Sequence, residues 1–457
     1  MTDFDAQMNM SSMERVGIPS QLIGGDRPAS IEARKTYHAS PAENDENNPG
    51  ATVRFTLPNQ PSTYLMPDVN FTFTMTIAGN PAGLDIDAGG IIERYRLYHG
   101  SQLLVDIPEY GRLARIIEDV TQDPTNGKTL SCLLKDAPNG EATAADLAAG
   151  GATTGTFQRA YSTPAYPDNL GIAVGGHHMV VPLMCPLIGT MAQKAWCSHA
   201  ATAAPLRVEI DLCSNAKALV SAQGGAALAT YTISNTQLKA TYVQVSSNAQ
   251  ALIDQAVGGV YALNTSSYAH SQSQIAAGDT SANILLPFSY SSAKHFLTGL
   301  YRPVDDQDHY NISGRARLGI ASVFYQIGAS RVPSQPMDTD KEIGEHLCKC
   351  FGVSSNLLQV SNYLTRNNFL RAQGDVVADV AADVPGTELG KFAMGIDLEA
   401  FGATSSATRV ENGINTTALQ CFLNFQGVGV AAAKQIHSWC CYDMLVTFAN
   451  GQAYARF

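Results

Sequence analysis

Phe71-Thr-Phe-Thr-Met-Thr-Ile77 alternates apolar residues strictly with threonines. Successive side chains of an extended chain point to opposite faces, so one face of this segment is apolar and the other can meet water or a second layer. Arg207-Val-Glu-Ile-Asp-Leu-Cys213 has the same period, with Arg207, Glu209 and Asp211 on one face. Both segments are therefore predicted to be half-buried strands and not helices.

A second series of strand-like segments follows an Ala/Gly-rich stretch at 215–230. These segments are rich in β-branched and aromatic residues, and they lie at 231–233, 240–245, 283–287, 320–327 and 444–448. Short helical patterns lie at 110–118, at 248–257 behind a Ser247 cap, and after a Thr339 cap. A run of strands without βαβ alternation argues against a doubly wound nucleotide-binding fold.

The chain is therefore expected to be all-β, with two barrels or sandwiches in tandem. Its 457 residues accommodate two β-domains of roughly 200 residues each. The expected divisions are an N-terminal arm at 1–50, a first barrel at 51–214, a hinge at 215–230 and a second barrel at 231–457.

The composition favours a chain that buries surface between subunits. Hydrophobic residues make up 45% of the chain, whereas only 15% of residues are charged. An average soluble domain has roughly 25% charged residues. The net charge of −11 disfavours direct coating of a nucleic-acid backbone, because phosphate binding relies on Lys and Arg. No sequence-specific nucleic-acid binding is expected.

The arm at 1–50 carries four basic residues, Arg15, Arg27, Arg34 and Lys35, against eight acidic ones. Two interpretations remain open for it. It is either a solvated tail or a segment that becomes ordered by packing under a neighbouring subunit. Neither is a polycationic arm that binds a genome.

The targeting signals and the cysteines both indicate where the chain folds. No stretch approaches the roughly 20 apolar residues that span a bilayer, and the N-terminus lacks the residue order of a signal peptide. Nine cysteines are scattered without a disulfide framework. The close pairs Cys348/Cys350 and Cys440/Cys441 lack a partner pair at zinc spacing. The chain is expected to fold in the cytosol or nucleus, with reduced cysteines, no metal and no cofactor.

Several fragments resemble parts of catalytic sites without completing one. Ser214 and Lys217, and likewise Ser291 and Lys294, have the S-x-x-K spacing of serine acyl-enzymes, but the companion motifs are missing. A serine that caps a short helical turn is the preferred interpretation of both.

Two polar clusters also fall short of a site. His177 and His178 are expected to enter a strand, with no carboxylate nearby in sequence. The run at 305–309 lacks the spacing of a calcium loop and is interpreted as solvated. No P-loop or G-x-G-x-x-G motif is present. The sequence therefore indicates a structural building block with no catalytic residues.

The segment Ile91-Ile-Glu-Arg-Tyr-Arg-Leu-Tyr-His-Gly-Ser-Gln-Leu-Leu-Val-Asp-Ile-Pro-Glu-Tyr-Gly111 resembles part of the double jelly-roll major capsid proteins of the polinton-like virus and virophage group, in the PRD1-adenovirus lineage. There, a strand ends in a glycine turn and leads into a helix. The most specific second-barrel segment is Tyr325-Gln-Ile-Gly-Ala-Ser-Arg-Val-Pro-Ser-Gln-Pro336. Further similar segments lie at 181–189, 207–213, 231–257 and 286–294. The resemblance covers most of 51–457.

The resemblance implies two tandem eight-stranded jelly-roll barrels with short inserted helices and an N-terminal arm. Three such chains form a pseudo-hexameric capsomer of an icosahedral double-stranded DNA virus shell. The implied partners are two further copies, neighbouring capsomers, minor capsid and penton proteins, and a membrane or the genome beneath the shell. The implied location is the virion capsid, assembled in the host cytoplasm or nucleus without secretion.

The resemblance also assigns roles to loops. The stretch at 125–155 is the expected outer loop of the first barrel, and 374–390 that of the second. A contact with a neighbouring subunit is predicted for a short Pro-containing segment, with an ordinary interstrand loop as the alternative. Its residues are Arg331, Val332, Pro333, Ser334 and Gln335.

Two competing functions remain. A trimeric β-rich receptor- or glycan-binding virion protein is the main alternative, and it requires clustered exposed aromatics; Trp196 and Trp439 are the only tryptophans. A hydrolase on a jelly-roll scaffold requires paired carboxylates or a His-rich metal site. The sequence contains no convincing set of either kind.

Overall fold

The computed structural model describes residues 33–44, 47–78, 82–84, 88–121, 176–192, 194–221, 230–258, 261–301, 315, 320–352, 392–399, 413–427 and 433–457. Strands dominate these ranges, as expected from the alternating patterns. No helix within them is long and apolar enough to cross a membrane.

The first half contains eleven described strands. They are β1 (Ala33–Pro41), β2 (Thr52–Leu57), β3 (Thr63–Leu65), β4 (Asn70–Ala78), β5 (Ala82–Leu84), β6 (Ile92–His99), β7 (Gln102–Pro108), β8 (Gly176–Pro182), β9 (Leu206–Leu212), β10 (Leu219–Ser221) and β11 (Thr230–Val245). One sheet has the order β1-β11-β4-β8, with β3 also paired to β11, and a second has the order β2-β9-β6-β7. β5 and β10 form a separate pair.

The second half contains nine described strands. They are β12 (Ala262–Ile275), β13 (Ser281–Leu286), β14 (Ala293–Tyr301), β15 (Ser322–Ile327), β16 (Ser330–Met337), β17 (Met394–Asp397), β18 (Cys421–Gln426), β19 (Lys434–Ala449) and β20 (Gln452–Arg456). One sheet has the order β12-β19-β14-β17, with β20 paired to β19, and the other has the order β13-β18-β15-β16.

The same topology occurs in both halves. When the eight principal strands of each half are counted along the chain, one sheet has the order 1-8-3-6 and the other 2-7-4-5. All their pairings are antiparallel. Two four-stranded sheets connected in this interleaved way form a jelly roll. The prediction of two tandem eight-stranded jelly-roll barrels is confirmed.

Short helices connect the strands. They are α1 (Tyr110–Thr121), α2 (Asn215–Ala218), α3 (Ser247–Val257) and α4 (Asp340–Lys349), with 3-10 turns at Ala88–Ile91 and Ser198–Ala201. The Thr339 hydroxyl accepts a hydrogen bond from the Glu342 amide and caps α4 as predicted. The cap of α3 is Ser246, one residue before the predicted Ser247.

Facing sheets of each barrel enclose an apolar core. Phe71 and Phe73 point inward from β4 as their alternation predicts, and the Phe55 ring of the opposite sheet lies 5.8 Å from the Phe71 ring. In the second barrel, the rings of Phe296 and Tyr325 meet at 5.8 Å in the same way. Full burial of each such side chain contributes roughly 1.5–3 kcal/mol.

The predicted domain boundaries need correction. The segment at 231–245, assigned to the second barrel, forms β11 and is hydrogen-bonded to β1, β3 and β4 of the first. The first barrel therefore ends at Val245, α3 connects the two barrels, and the second begins with β12. The described part of the predicted hinge at 215–230 is fixed by α2 and by the pairing of β10 with β5.

The predicted arm at 1–50 is also too long. Residues 33–41 form β1, which pairs along its whole length with β11 and is the first strand of the first barrel. Residues 1–32 lie outside the described ranges, as do both predicted outer loops at 125–155 and 374–390 and the cluster at 305–309.

Candidate assembly interface

A buried contact joins the two barrels. We call it the inter-barrel seam: β7, α1 and residues 183–203 of the first barrel lie against β12, β19 and β20 of the second, with Arg315. The ring of Trp196, fully buried, lies 5.0 Å from the ring of Phe448 across it. The Ala203 amide donates to the Gly451 carbonyl at 3.1 Å. Apolar packing is thus continuous from one barrel into the other.

The seam contains an ion pair that is almost inaccessible to water. Arg315 of the second barrel places Nη2 2.7 Å from Oδ2 of Asp119 on α1. The Arg315 Nε also donates to the Phe392 carbonyl at 2.9 Å. On the first-barrel side, Arg115 Nε lies 3.1 Å from Asp119 Oδ1. Buried charges of this kind fix the relative position of two elements, because separating them leaves a charge without its counter-ion.

A second charged group begins at the junction of β7 and α1. Glu109 has a positive φ of 51°, which non-glycine residues rarely adopt. Its carboxylate lies 2.7 Å from Lys217 Nζ and 3.3 Å from Arg112 Nη1. Although burial opposes ionisation, the two cations outweigh it and lower the pKa of Glu109. These contacts hold the start of α1 against α2.

Arg112 extends this group into the second barrel. Its Nη1 lies 3.1 Å from Nε2 of His437 on β19, and His437 Nδ1 lies 2.9 Å from Nε2 of His270 on β12. Because a guanidinium only donates, His437 Nε2 accepts, and its proton must reside on Nδ1, which donates to His270. The order of donors fixes both imidazoles as neutral.

Burial supports the neutral state of both histidines. It lowers the pKa of His270 to about 4, and it lowers the pKa of His437 well below the ordinary value, with Arg112 adding to the effect on His437. The Tyr301 ring packs edge-on against the His437 ring, and the Arg112 guanidinium carbon lies 4.8 Å from the centre of the Tyr301 ring. Arg112, His437 and His270 therefore form a buried chain of hydrogen bonds, the histidine relay, that links the two barrels.

The predicted subunit contact lies at the edge of a sheet. Arg331, Val332, Pro333, Ser334 and Gln335 belong to β16, which is the outermost strand of its sheet among the described residues, and not to an interstrand loop. The Val332–Pro333 peptide is cis. Arg331, Ser334 and Gln335 are exposed, and the Arg331 guanidinium lies 4.2 Å from the centre of the Phe324 ring. The segment is accessible to a partner, and the contact itself remains a prediction.

The S-x-x-K fragments serve structural roles. Lys294 lies 2.9 Å from Glu399, and β14 begins at Ala293, so the predicted helical turn after Ser291 does not form. Ser214 does occupy the N-cap position of α2, without a side-chain cap bond. Lys217 of the same fragment belongs to the Glu109 group described above.

The other candidate ligands do not converge. His177 and His178 lie in β8, as predicted for a strand. Cys348, Cys350, Cys440 and Cys441 are free thiols. Within the described ranges, no group of three or more His, Cys, Asp or Glu side chains is arranged to hold a metal ion.

Sequence reasoning missed the residues of the seam. Arg112 and Asp119 lie seven residues apart on α1 and so share one helix face, which is the one local signal of a second buried surface. Their partners His437 and Arg315 are distant in sequence, and no pattern connects them.

Solved structures with a similar arrangement of strands are known. The chain matches PBCV-1 VP54, in a structure fitted into a cryo-EM reconstruction of the virophage Sputnik, with a TM-score of 0.60 at 10% identity over 95% of this chain and 99% of that one. The repeated strand order and this end-to-end match decide the fold. The chain has the double jelly-roll fold.

Two further double jelly-roll proteins match over similar lengths. The Faustovirus major capsid protein has a TM-score of 0.56 at 9% identity, covering 96% of this chain and 94% of that one. The mavirus major capsid protein has a TM-score of 0.50 at 13% identity, covering 96% and 93%. No protein-family model and no curated protein sequence matches the chain.

Proposed function

We propose that this chain is a major capsid protein, three copies of which form a pseudo-hexameric capsomer of an icosahedral double-stranded DNA virus shell. One observation carries the proposal. The interleaved strand order occurs twice in one chain, and the whole of that arrangement matches viral capsid proteins from end to end. Two equivalent barrels in one chain are what a sixfold-like tile built from three copies needs.

The inter-barrel seam supplies the rigidity that such a tile requires. A chain with a flexible hinge between its barrels presents two lobes at variable angles. Three such copies would not form a regular closed ring. Here the buried Arg315–Asp119 pair and the relay from Arg112 to His270 connect the barrels directly. Each copy therefore enters assembly as one body with two lobes at a set angle.

The partners follow from the proposed tile. Two further copies complete the capsomer, neighbouring capsomers complete the facets, and minor capsid and penton proteins occupy the gaps and vertices. The inner surface faces a membrane or the genome. The proposed location is the virion capsid, after assembly in the host cytoplasm or nucleus, and the proposed role involves no catalysis. Arg331–Gln335 is assigned to the contact between copies.

Electron microscopy of the purified protein tests the proposal. Negative-stain averages are expected to show hexagonal outlines with threefold symmetry, and concentrated protein is expected to form hexagonally packed arrays. Single lobed particles without a threefold average contradict the proposal. In that case glycan-array binding tests the alternative of a receptor- or glycan-binding protein directly.

A further inference from the structure

A lysine of the second barrel is buried between two carboxylates. Lys294 Nζ lies 2.9 Å from Oε1 of Glu399 and 3.8 Å from Oδ1 of Asp443. The side chains of Lys294, Glu399 and Asp443 are only 8%, 15% and 16% exposed. One carboxylate is enough to neutralise the ammonium charge, so the second is not needed for an ion pair.

An irregularity of β14 directs the lysine. Ala293 pairs with Tyr442 and His295 pairs with Cys441, so Lys294 is the extra residue of a β-bulge. A bulge changes the direction of a side chain relative to the regular pleat, and such bulges are frequent next to reactive sites. The direction of the lysine side chain is therefore set by the backbone.

The two carboxylates come from the strands on either side of β14. Asp443 lies on β19, and its amide donates to the Ser292 carbonyl at 3.0 Å. Glu399 follows β17, where the Leu398 amide donates to the Lys294 carbonyl at 2.8 Å. Backbone hydrogen bonds beside each carboxylate thus hold both of them against the same lysine.

Two serine hydroxyls donate to the Asp443 carboxylate. Ser292 Oγ lies 2.6 Å from Oδ2, and Ser266 Oγ on β12 lies 3.4 Å from Oδ1. Ser292 Oγ accepts from the Gly413 amide at 3.1 Å, and Ser266 Oγ accepts from Lys294 Nζ at 3.3 Å. Donors in these positions stabilise the negative charge that develops on oxygen when a nucleophile attacks the carboxyl carbon.

Glu399 is positioned to accept a proton from the lysine. Burial lowers the pKa of Lys294, but the hydrogen bond to Glu399 and the neighbouring negative groups outweigh burial and raise this pKa above its ordinary value. The resting side chain is therefore an ammonium ion. Transfer of one proton to Glu399 removes both charges from a site with little water, and it frees the lone pair of Nζ for attack.

We propose that Lys294 and Asp443 condense to an amide cross-link inside the second barrel, with Glu399 carrying the protons. Nζ attacks Cγ of Asp443, a bond between nitrogen and carbon forms, and the bond from Cγ to one carboxylate oxygen breaks. Two of the three ammonium protons pass through Glu399 to the departing oxygen, which leaves as water. The ammonium and the carboxylate become one amide and one water, without an oxidant or a further reactant.

The cross-link joins two neighbouring strands of one sheet. It closes a covalent loop that contains β15 to β18, and this loop persists when the chain is unfolded. A covalent loop limits the conformations of the unfolded chain and so favours the folded barrel. The reaction occurs once in each chain, so it adds a modification to the proposed capsid subunit and no enzymatic turnover.

A second buried lysine provides an internal comparison. Lys217 Nζ lies 2.7 Å from Glu109 and 3.3 Å from Glu93. Glu109 also contacts Arg112, and although burial opposes ionisation, the cations lower the pKa of Glu109. A carboxylate that stays ionised between two cations is a poor target for a nucleophile. Lys217 is therefore expected to remain free of a cross-link.

Mass spectrometry of the wild-type chain, unfolded in urea and digested with trypsin, tests the proposal. The expected product is a branched peptide that joins the segments containing Lys294 and Asp443 and is lighter than the two linear peptides together by one water molecule. Peptides that contain Lys217 should be linear. Lys349, 2.7 Å from Glu345 in an exposed pair, should also give linear peptides, because contact with a carboxylate is not sufficient.

Three variants assign the roles of the residues. Lys294→Arg keeps a positive charge without the amine, and Asp443→Ala removes the carboxyl carbon, so both should give only linear peptides. Glu399→Gln keeps the size of the side chain but cannot accept the proton, and it should slow the appearance of the branched peptide roughly tenfold or more. The wild-type peptide map decides the main question even where a variant fails to fold.

The outcomes separate this inference from the proposed function. Only linear peptides from folded wild-type protein overturn the cross-link and leave the proposed capsomer untouched. A branched peptide that forms at the wild-type rate in Glu399→Gln overturns the role of Glu399. A branched peptide from a wild-type chain that stays monomeric supports the cross-link and contradicts the capsomer.

Discussion

Arg315 Nη2 and Asp119 Oδ2 lie 2.7 Å apart across the inter-barrel seam, and their side chains are only 1% and 2% exposed. Asp119 is on α1 of the first barrel, and Arg315 precedes β15 of the second. Both charges lose their hydration when the pair is buried, which offsets much of their attraction. The main effect of the pair is therefore to raise the free energy of any other arrangement of the barrels, in which a buried charge would lack its counter-ion.

Removal of Asp119 should therefore destabilise the whole chain. Asp119→Ala leaves the Arg315 guanidinium buried with only part of its compensation, and the expected cost is about 3–5 kcal/mol. Lys349→Ala removes the exposed pair to Glu345, with side chains 42% and 49% exposed, and should cost less than about 1 kcal/mol. Urea unfolding of both variants checks the contrast, and equal costs contradict the role given to the seam.

The histidine relay predicts a pH dependence of stability. The folded-state pKa of His270 is lowered to about 4 from an ordinary 6.5, so the unfolded chain binds more protons between these values. Stability should be fully present above pH 6.5 and fall as the pH drops toward 4, by about 1.4 kcal/mol for each unit of pKa shift.

A matched variant isolates this contribution. Gln at position 270 can still accept the hydrogen bond from His437 but does not titrate, so His270→Gln should make the fall of unfolding free energy between pH 6.5 and 4 shallower, while His437, whose pKa is also lowered, keeps its own share of the fall. Denaturant unfolding at a series of pH values provides the measurement. An unchanged slope contradicts the assignment of the proton uptake to His270.

The aromatic contact across the seam predicts that the barrels unfold together. Phe448→Ala removes the ring that packs on Trp196, and the expected cost is about 3–5 kcal/mol. Phe457→Ala removes a ring that is 59% exposed and should have a much smaller effect. Calorimetry of the wild type should show one transition; two separated transitions indicate that the barrels are independent.

Because residues 33–41 form β1, deletions that end before and after this strand should have different effects. We propose that residues 1–32 act between capsomers, so their deletion should leave folded trimers and impair the assembly of those trimers into larger arrays. Deletion of residues 1–48 also removes β1, uncovers β11 and should prevent folding of the first barrel. Light scattering and circular dichroism separate the two results. Loss of trimers after the shorter deletion contradicts the proposed role of the segment.

Much of the fold is readable from local patterns. β4 and β9 show clean alternation because one of their faces is buried, and α1, α3 and α4 begin within one or two residues of the predicted positions. β1 was missed for a physical reason. Its first five residues are exposed on both faces, so no apolar–polar alternation marks it as a strand.

Strand pairings and side-chain contacts between residues far apart in the sequence could not be predicted from it. β11 looks like the start of a second barrel because it follows an Ala/Gly-rich stretch, and only its pairing with β1 and β4 assigns it to the first. Arg112 and His437 meet across 325 positions of sequence, and no sequence pattern connects the two residues. Such contacts depend on how two barrels dock, which local periodicity does not determine.

The native mass of the purified full-length chain tests the central claim most directly. Light scattering coupled to size-exclusion chromatography should give a single species at three times 48.6 kDa that persists on dilution. A monomer, or an elongated dimer, at micromolar concentration contradicts the account of this chain as a capsomer subunit.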